Sequence, residues 1–82
     1  MILDDIYEMY PEGGFYTADG FDSAVIGIDP YKMLLIYSIE KCLEVLVEVQ
    51  EMTPDDAVEY FEFNVAGSSL GDDSPIWLDD LG

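Results

Sequence analysis

The sequence predicts an α+β domain: a short N-terminal helix, a β-hairpin with a third C-terminal strand at its edge, and two packed amphipathic helices. Three observations carry that expectation. Apolar residues recur at helical spacing near the N-terminus and again after Ser38. Two short, partly β-branched runs flank Asp29-Pro30-Tyr31. Helix starts are legible at Ser38 and at Thr53-Pro54. At 82 residues the chain reads as one acidic domain spanning positions 1–82.

Over residues 2–10, Leu3, Ile6, Tyr7 and Tyr10 fall on one helical face, with Asp4, Asp5 and Glu8 away from it. Pro11 and Gly13-Gly14 end that helix. Residues 15–22 mix aromatics with Asp and Gly and read as a loop or short edge strand. Ser23 to Asp29 and Lys32 to Tyr37 are the hairpin strands, and Pro30 presets the turn between them. A single helix from Tyr31 to Gln50 is the rival reading, and Met33-Leu34-Leu35 do not decide between the two.

Ser38 is a good N-cap for a helix reaching about Gln50. On a helical wheel Ile39, Cys42, Leu43, Leu46 and Val47 fill one broad arc, which Val45 and Val49 widen. Glu40, Glu44, Glu48 and Glu51 occupy a separate arc about 80° across. Thr53 is the next N-cap, with Pro54 at the first helical position and Asp55 and Asp56 complementing the dipole. That helix runs to about Val65 or Ala66, and Gly67 suits its end. Ala57, Val58, Phe61 and Val65 form its inner face, while Asp55, Asp56, Glu59 and Glu62 face outward with Phe63 among them. Ser68 to Ser74 is a polar loop, and Pro75-Ile76-Trp77-Leu78 reads as a short strand before an acidic tail.

Nineteen Asp or Glu stand against two Lys, with no Arg and no His, for a formal charge of −17. Half the residues are apolar and 13% aromatic, which separates the chain from acidic disordered tails. So few cations argue against direct recognition of nucleic acid, of anionic membrane surfaces and of anionic substrates. Histidine catalysis is impossible. The chain also lacks a P-loop, a calcium loop and a Cys/His cluster, so neither an enzyme, a cofactor nor a metal site is expected. Cys42, the only cysteine, falls on the buried arc and reads as a small core residue. Trp77 reads as a core plug in preference to an exposed anchor. A lone cysteine and a start without a basic-then-apolar signal fit a soluble protein of a reducing cytoplasm.

The candidate site is the repeated acidic spacing on the helices: Glu40, Glu44, Glu48 and Glu51, then Asp55, Asp56, Glu59 and Glu62. Residues four apart on a helix rise about 6 Å, and duplex DNA carries a phosphate per about 3.4 Å of axis on each strand. Two staggered carboxylate rows therefore match a phosphate track in density. Like charges at i, i+4 destabilise a helix, and ordinary solvated faces mix both signs. Here almost no Lys compensates, so the rows point to a basic partner surface. Phe63 and Tyr60 supply an aromatic anchor within that footprint or, alternatively, a homodimer seam. Surface adaptation to high salt is a further reading of the acid excess, and the aromatic and large aliphatic content weighs against it.

The stretch Asp55-Asp-Ala-Val-Glu-Tyr-Phe-Glu-Phe-Asn-Val-Ala-Gly67 resembles a group of small acidic phage and prophage proteins of uncharacterised function. The likeness extends over Gly20-Phe-Asp-Ser-Ala-Val-Ile-Gly27, Leu35-Ile-Tyr-Ser-Ile-Glu-Lys-Cys-Leu43 and Ser74-Pro-Ile76. It implies a phage or mobile-element origin and brings no site residues. In charge and size alone the chain also resembles phage inhibitors of anti-CRISPR and anti-restriction type that mimic DNA. The expectation is an inhibitor that fills the basic nucleic-acid channel of a bacterial defence nuclease. The alternatives are an acidic adaptor or immunity-type protein binding a basic partner outside its DNA site, or an acidic oligomerisation module.

Overall fold

The computed structural model describes residues 1–67 and 71–81. Along the chain lie α1 (Ile2–Met9), β1 (Val25–Asp29), β2 (Leu34–Ser38), α2 (Ile39–Glu48), α3 (Pro54–Tyr60) and β3 (Ile76–Leu78). A π-helical turn, Phe61–Val65, continues α3, and short 3-10 turns occupy Asp22–Ala24 and Gly71–Asp73. The mixed α+β class is the one the sequence predicts. Of the loop expected at 68–74, residues 68–70 lie outside the described residues.

The hairpin wins over the rival helix, with β1 and β2 antiparallel through Gly27↔Ile36, Ile28↔Leu35 and Asp29↔Leu34. Its turn is longer than the sequence suggests. The Asp29 carboxylate accepts the N–H groups of Tyr31 at 2.9 Å and Lys32 at 3.2 Å, as Asp does in turns. Met33 then adopts φ 56°, so Lys32 and Met33 belong to the turn and β2 starts at Leu34. At the other end Ser23 and Ala24 curl into a 3-10 turn, leaving β1 to begin at Val25.

β3 joins the opposite edge of β2, so the sheet order is β1-β2-β3. It runs parallel to β2, pairing Ile36↔Ile76, Tyr37↔Trp77 and Ser38↔Leu78. A parallel neighbour requires a long crossover, which α2 and α3 provide. Central placement buries Leu35 and Tyr37 almost completely. The Tyr37 hydroxyl oxygen accepts the Ala18 N–H at 2.8 Å, tying the 13–21 loop over the core. Trp77 packs against Tyr37, centroids 5.1 Å apart, and meets Phe61 edge-on at 5.4 Å. It is a core plug.

α1 lies on β1 and buries Leu3 and Ile6. Tyr7, predicted on that face, is exposed and instead flanks the Phe15 ring at 6.1 Å. Cys42 and Leu46 of α2 meet Ala57 of α3 and Phe61 in the same buried cluster. The apolar arc predicted for α2 is too broad, because Val49 lies beyond the helix and is exposed. No helix among the described residues is long and apolar enough to cross a membrane.

Candidate functional site

Two capped helix starts set the acidic residues in place. The Ser38 side chain accepts the Lys41 N–H at 3.0 Å, and Thr53 Oγ1 accepts the Asp56 N–H at 3.2 Å. Both are the N-caps that the sequence predicts. The α2 start has a further clamp that no local pattern announces. Asp80 accepts a hydrogen bond from the Ser38 hydroxyl on one carboxylate oxygen and from the Glu40 N–H on the other, the latter at 3.0 Å. The Ser38 hydroxyl, then the Glu40 N–H, hold the Asp80 carboxyl below the usual range. Asp80 is therefore part of the α2 cap, and ordinary solvation of an acidic tail does not account for it.

Glu40, Glu44, Glu48, Asp55, Asp56, Glu59, Glu62 and Phe63 are all exposed. On α2 the row is Glu40, Glu44 and Glu48, three carboxylates rising about 6 Å per step. Glu51, also exposed, is not its fourth member. The helix stops at Glu48, Glu51 takes φ 60°, and the Met52 N–H folds back onto the Leu46 carbonyl at 3.1 Å. A left-handed backbone there turns the chain towards α3 and takes Glu51 off the helical row.

Asp55, Asp56 and Glu59 lie on α3, whereas Glu62 and Phe63 lie in the π turn. That turn is closed by the Ala66 N–H on the Phe61 carbonyl at 2.8 Å. Gly67 lets the chain pass close behind it: a Cβ there would sit 2.7 Å from the Glu62 carbonyl oxygen and 2.9 Å from that of Phe63. The wider turn keeps Phe61 in the core and leaves Phe63 73% exposed. Phe63 and Asn64 share a shallow concavity with Asp56, Glu59 and Tyr60, which joins the expected aromatic to its acidic neighbours.

A separate groove between the helices brings Glu40, Glu44 and Glu48 beside Leu43, Val47, Pro54, Val58 and Leu81. Val58, predicted to face inward, is 42% exposed there. The acids thus form two neighbourhoods, one beside a groove of α2 and α3 and one around Phe63. Among the described residues the only ion pair joins the N-terminal ammonium to Asp4 at 3.6 Å, so no carboxylate of either row is ion-paired with Lys32 or Lys41.

Chemistry elsewhere is sparse. Cys42 is fully buried, and desolvation, reinforced by the nearby Asp80 charge, pushes its thiol up to about 12. Such a thiol is a poor nucleophile at neutral pH. Among the described residues no group of three or more His, Cys, Asp or Glu is gathered closely enough to hold a metal ion. Comparison with protein-family models, curated proteins and solved structures gives no match.

Proposed function

We propose that the chain is a phage or mobile-element inhibitor that occupies the basic nucleic-acid channel of a bacterial defence nuclease as a DNA mimic. The observation that carries this reading is the pair of solvent-facing acidic rows on α2 and α3, fixed by capped helices and without an ion-pair partner among the described residues. Helices that serve only solubility gain from mixed charges, and these forgo that gain. The rows hold carboxylates at steps of about 6 Å on rigid elements, so channel Lys and Arg meet them without reordering of the backbone. Charge complementarity then speeds association, and a few desolvated contacts, Phe63 among them, set the off-rate. The likeness of residues 55–67 to phage proteins supplies the origin, and CRISPR effectors and restriction enzymes supply the target class.

The test is a cleavage assay over purified CRISPR effectors and restriction enzymes, with excess duplex DNA as competitor. A mimic inhibits, and duplex DNA relieves the inhibition; a protein bound outside the DNA site stays bound. Charge reversal at Glu44, Glu48, Glu59 and Glu62 together should abolish inhibition while the circular dichroism spectrum stays native. A folded quadruple variant that inhibits like the parent sinks the phosphate-mimic reading.

A further inference from the structure

We infer that the groove between α2 and α3 seats an amphipathic basic helix of the partner protein, its apolar side chains against Val47 and Val58 and its Lys or Arg against Glu40, Glu44 and Glu48. This rests on the reading of the acidic rows as a partner-binding face and names what one part of the partner must offer.

The groove has a volume of about 270 Å³ and an apolar lining. Val58 is 42% exposed and Leu81, at the end of the tail, 55% exposed, so the apolar surface is open to an incoming side chain. The Asp80 clamp on Ser38 and Glu40 holds the tail against the start of α2, which keeps Leu81 at the groove. Along one side Glu40, Glu44 and Glu48 span about 12 Å. Asp55 stands three residues before Val58, on the adjoining surface of α3.

Charge selects the occupant. A second copy of this chain brings another −17 with Lys32 and Lys41 as its only side-chain cations, so it repels the acidic side. Nucleic acid and anionic lipid are repelled likewise. A small cation satisfies the glutamates and leaves the apolar lining wet. A strand has no sheet edge to extend here, because the side elements are helices. A basic amphipathic helix meets both requirements. Laid along α2, it presents one residue per turn at i, i+4 and i+8, the same step of about 6 Å that separates the three glutamates. Two turns fill the length, with its apolar stripe turned down, which is the helix-in-groove mode of recognition.

The experiment uses fluorescence anisotropy with a labelled Leu/Lys peptide of about 18 residues, long enough to form a helix, patterned to be amphipathic. A scrambled peptide of identical composition is the comparison. The parent protein should bind the patterned peptide at least about tenfold more tightly. The decisive variant is Val58→Asp, which adds negative charge while spoiling the apolar surface. Pure electrostatics predicts that it binds the basic peptide as tightly or more tightly, whereas a seated helix predicts a fall to the scrambled level. Leu81→Asp, outside any helix, repeats the test without touching α3. Equal affinity for the two peptides, no binding of either, or undiminished binding by both folded variants overturns the proposal. The two readings fail separately. If the groove variants bind and inhibit normally while the quadruple charge reversal does not inhibit, the mimic stands and the seated helix falls. If the peptide preference holds and the quadruple variant still inhibits, the mimic falls.

Discussion

Replacing Glu48 by Lys tests whether the α2 row sacrifices stability for its charge. Glu48 is the last residue of α2, is exposed, has Glu44 one turn before it, and shares its final turn with no basic residue. Two penalties follow. The Glu44–Glu48 repulsion costs about 0.2–0.5 kcal/mol, and its replacement by an acid-before-base pair gains a similar amount. A carboxylate at the negative end of the helix dipole is unfavourable by about 0.3–1 kcal/mol, and a cation there is favourable by as much. Glu48→Lys should therefore stabilise the protein by about 1–3 kcal/mol, and each kcal/mol raises the midpoint of a domain this size by about 4–8 °C. Thermal melts by circular dichroism at about 20 mM salt read the shift directly. Glu48→Gln should deliver roughly half of it. Raising salt to about 1 M shortens the screening length to about 3 Å and should remove most of the difference. If the lysine variant melts at or below the parent temperature in low salt, the row carries no electrostatic strain. The argument that it is kept for binding then loses its basis. The same substitution should weaken nuclease inhibition, so that stability and activity move in opposite directions.

Other consequences are as direct. Burial raises the Cys42 thiol to about 12, so the unfolded state loses its proton first and stability is complete below about pH 9 and falls as pH climbs above it. Thermal midpoints across alkaline pH should show the fall, shallower in Cys42→Ala, and a thiol reagent should label the native protein only as fast as it unfolds. Asp80 has the opposite sign. Its lowered carboxyl stabilises the fold above about pH 3.9, and that contribution disappears as pH drops through the folded value. Asp80→Asn should melt below the parent at pH 7 and coincide with it in strong acid. Gly67→Ala drives a methyl into the Glu62 and Phe63 carbonyls and should cost about 1–3 kcal/mol by denaturant titration. Glu51→Gly relieves a left-handed backbone at a position outside the acidic row and should leave inhibition intact while stabilising by about 0.5 kcal/mol.

The elements written in neighbouring residues were legible. Ser38 and Thr53 cap helices as their side chains suggest, Pro54 opens α3, and the apolar runs around Asp29 pair as a hairpin. Boundaries moved where one backbone angle decides them. Met33 and Glu51 both take left-handed φ although neither is a residue type that advertises it, and this shortened β2 at its start and α2 at its end. The π turn escaped detection because a helical wheel assumes constant pitch, and an added residue in one turn leaves the apolar pattern around Phe61 nearly unchanged. Of the site, the carboxylate rows could be read from spacing alone. The groove could not, since the exposure of Val58 depends on where Leu81 and α2 lie. Nor could the role of Asp80, whose partners Ser38 and Glu40 lie 42 and 40 residues away along the chain.

That distance has a consequence for how the protein is made. The central strand receives its second neighbour, and the helix after it the second half of its cap, from residues translated about 40 positions later. Until those residues arrive and β3 docks, β2 has one edge bare. A bare edge invites pairing with another nascent chain. During that interval the carboxylates already translated, Glu40, Glu44 and Glu48 among them, keep neighbouring chains apart. The charge proposed to grip a partner thus also guards the sheet until β3 closes it.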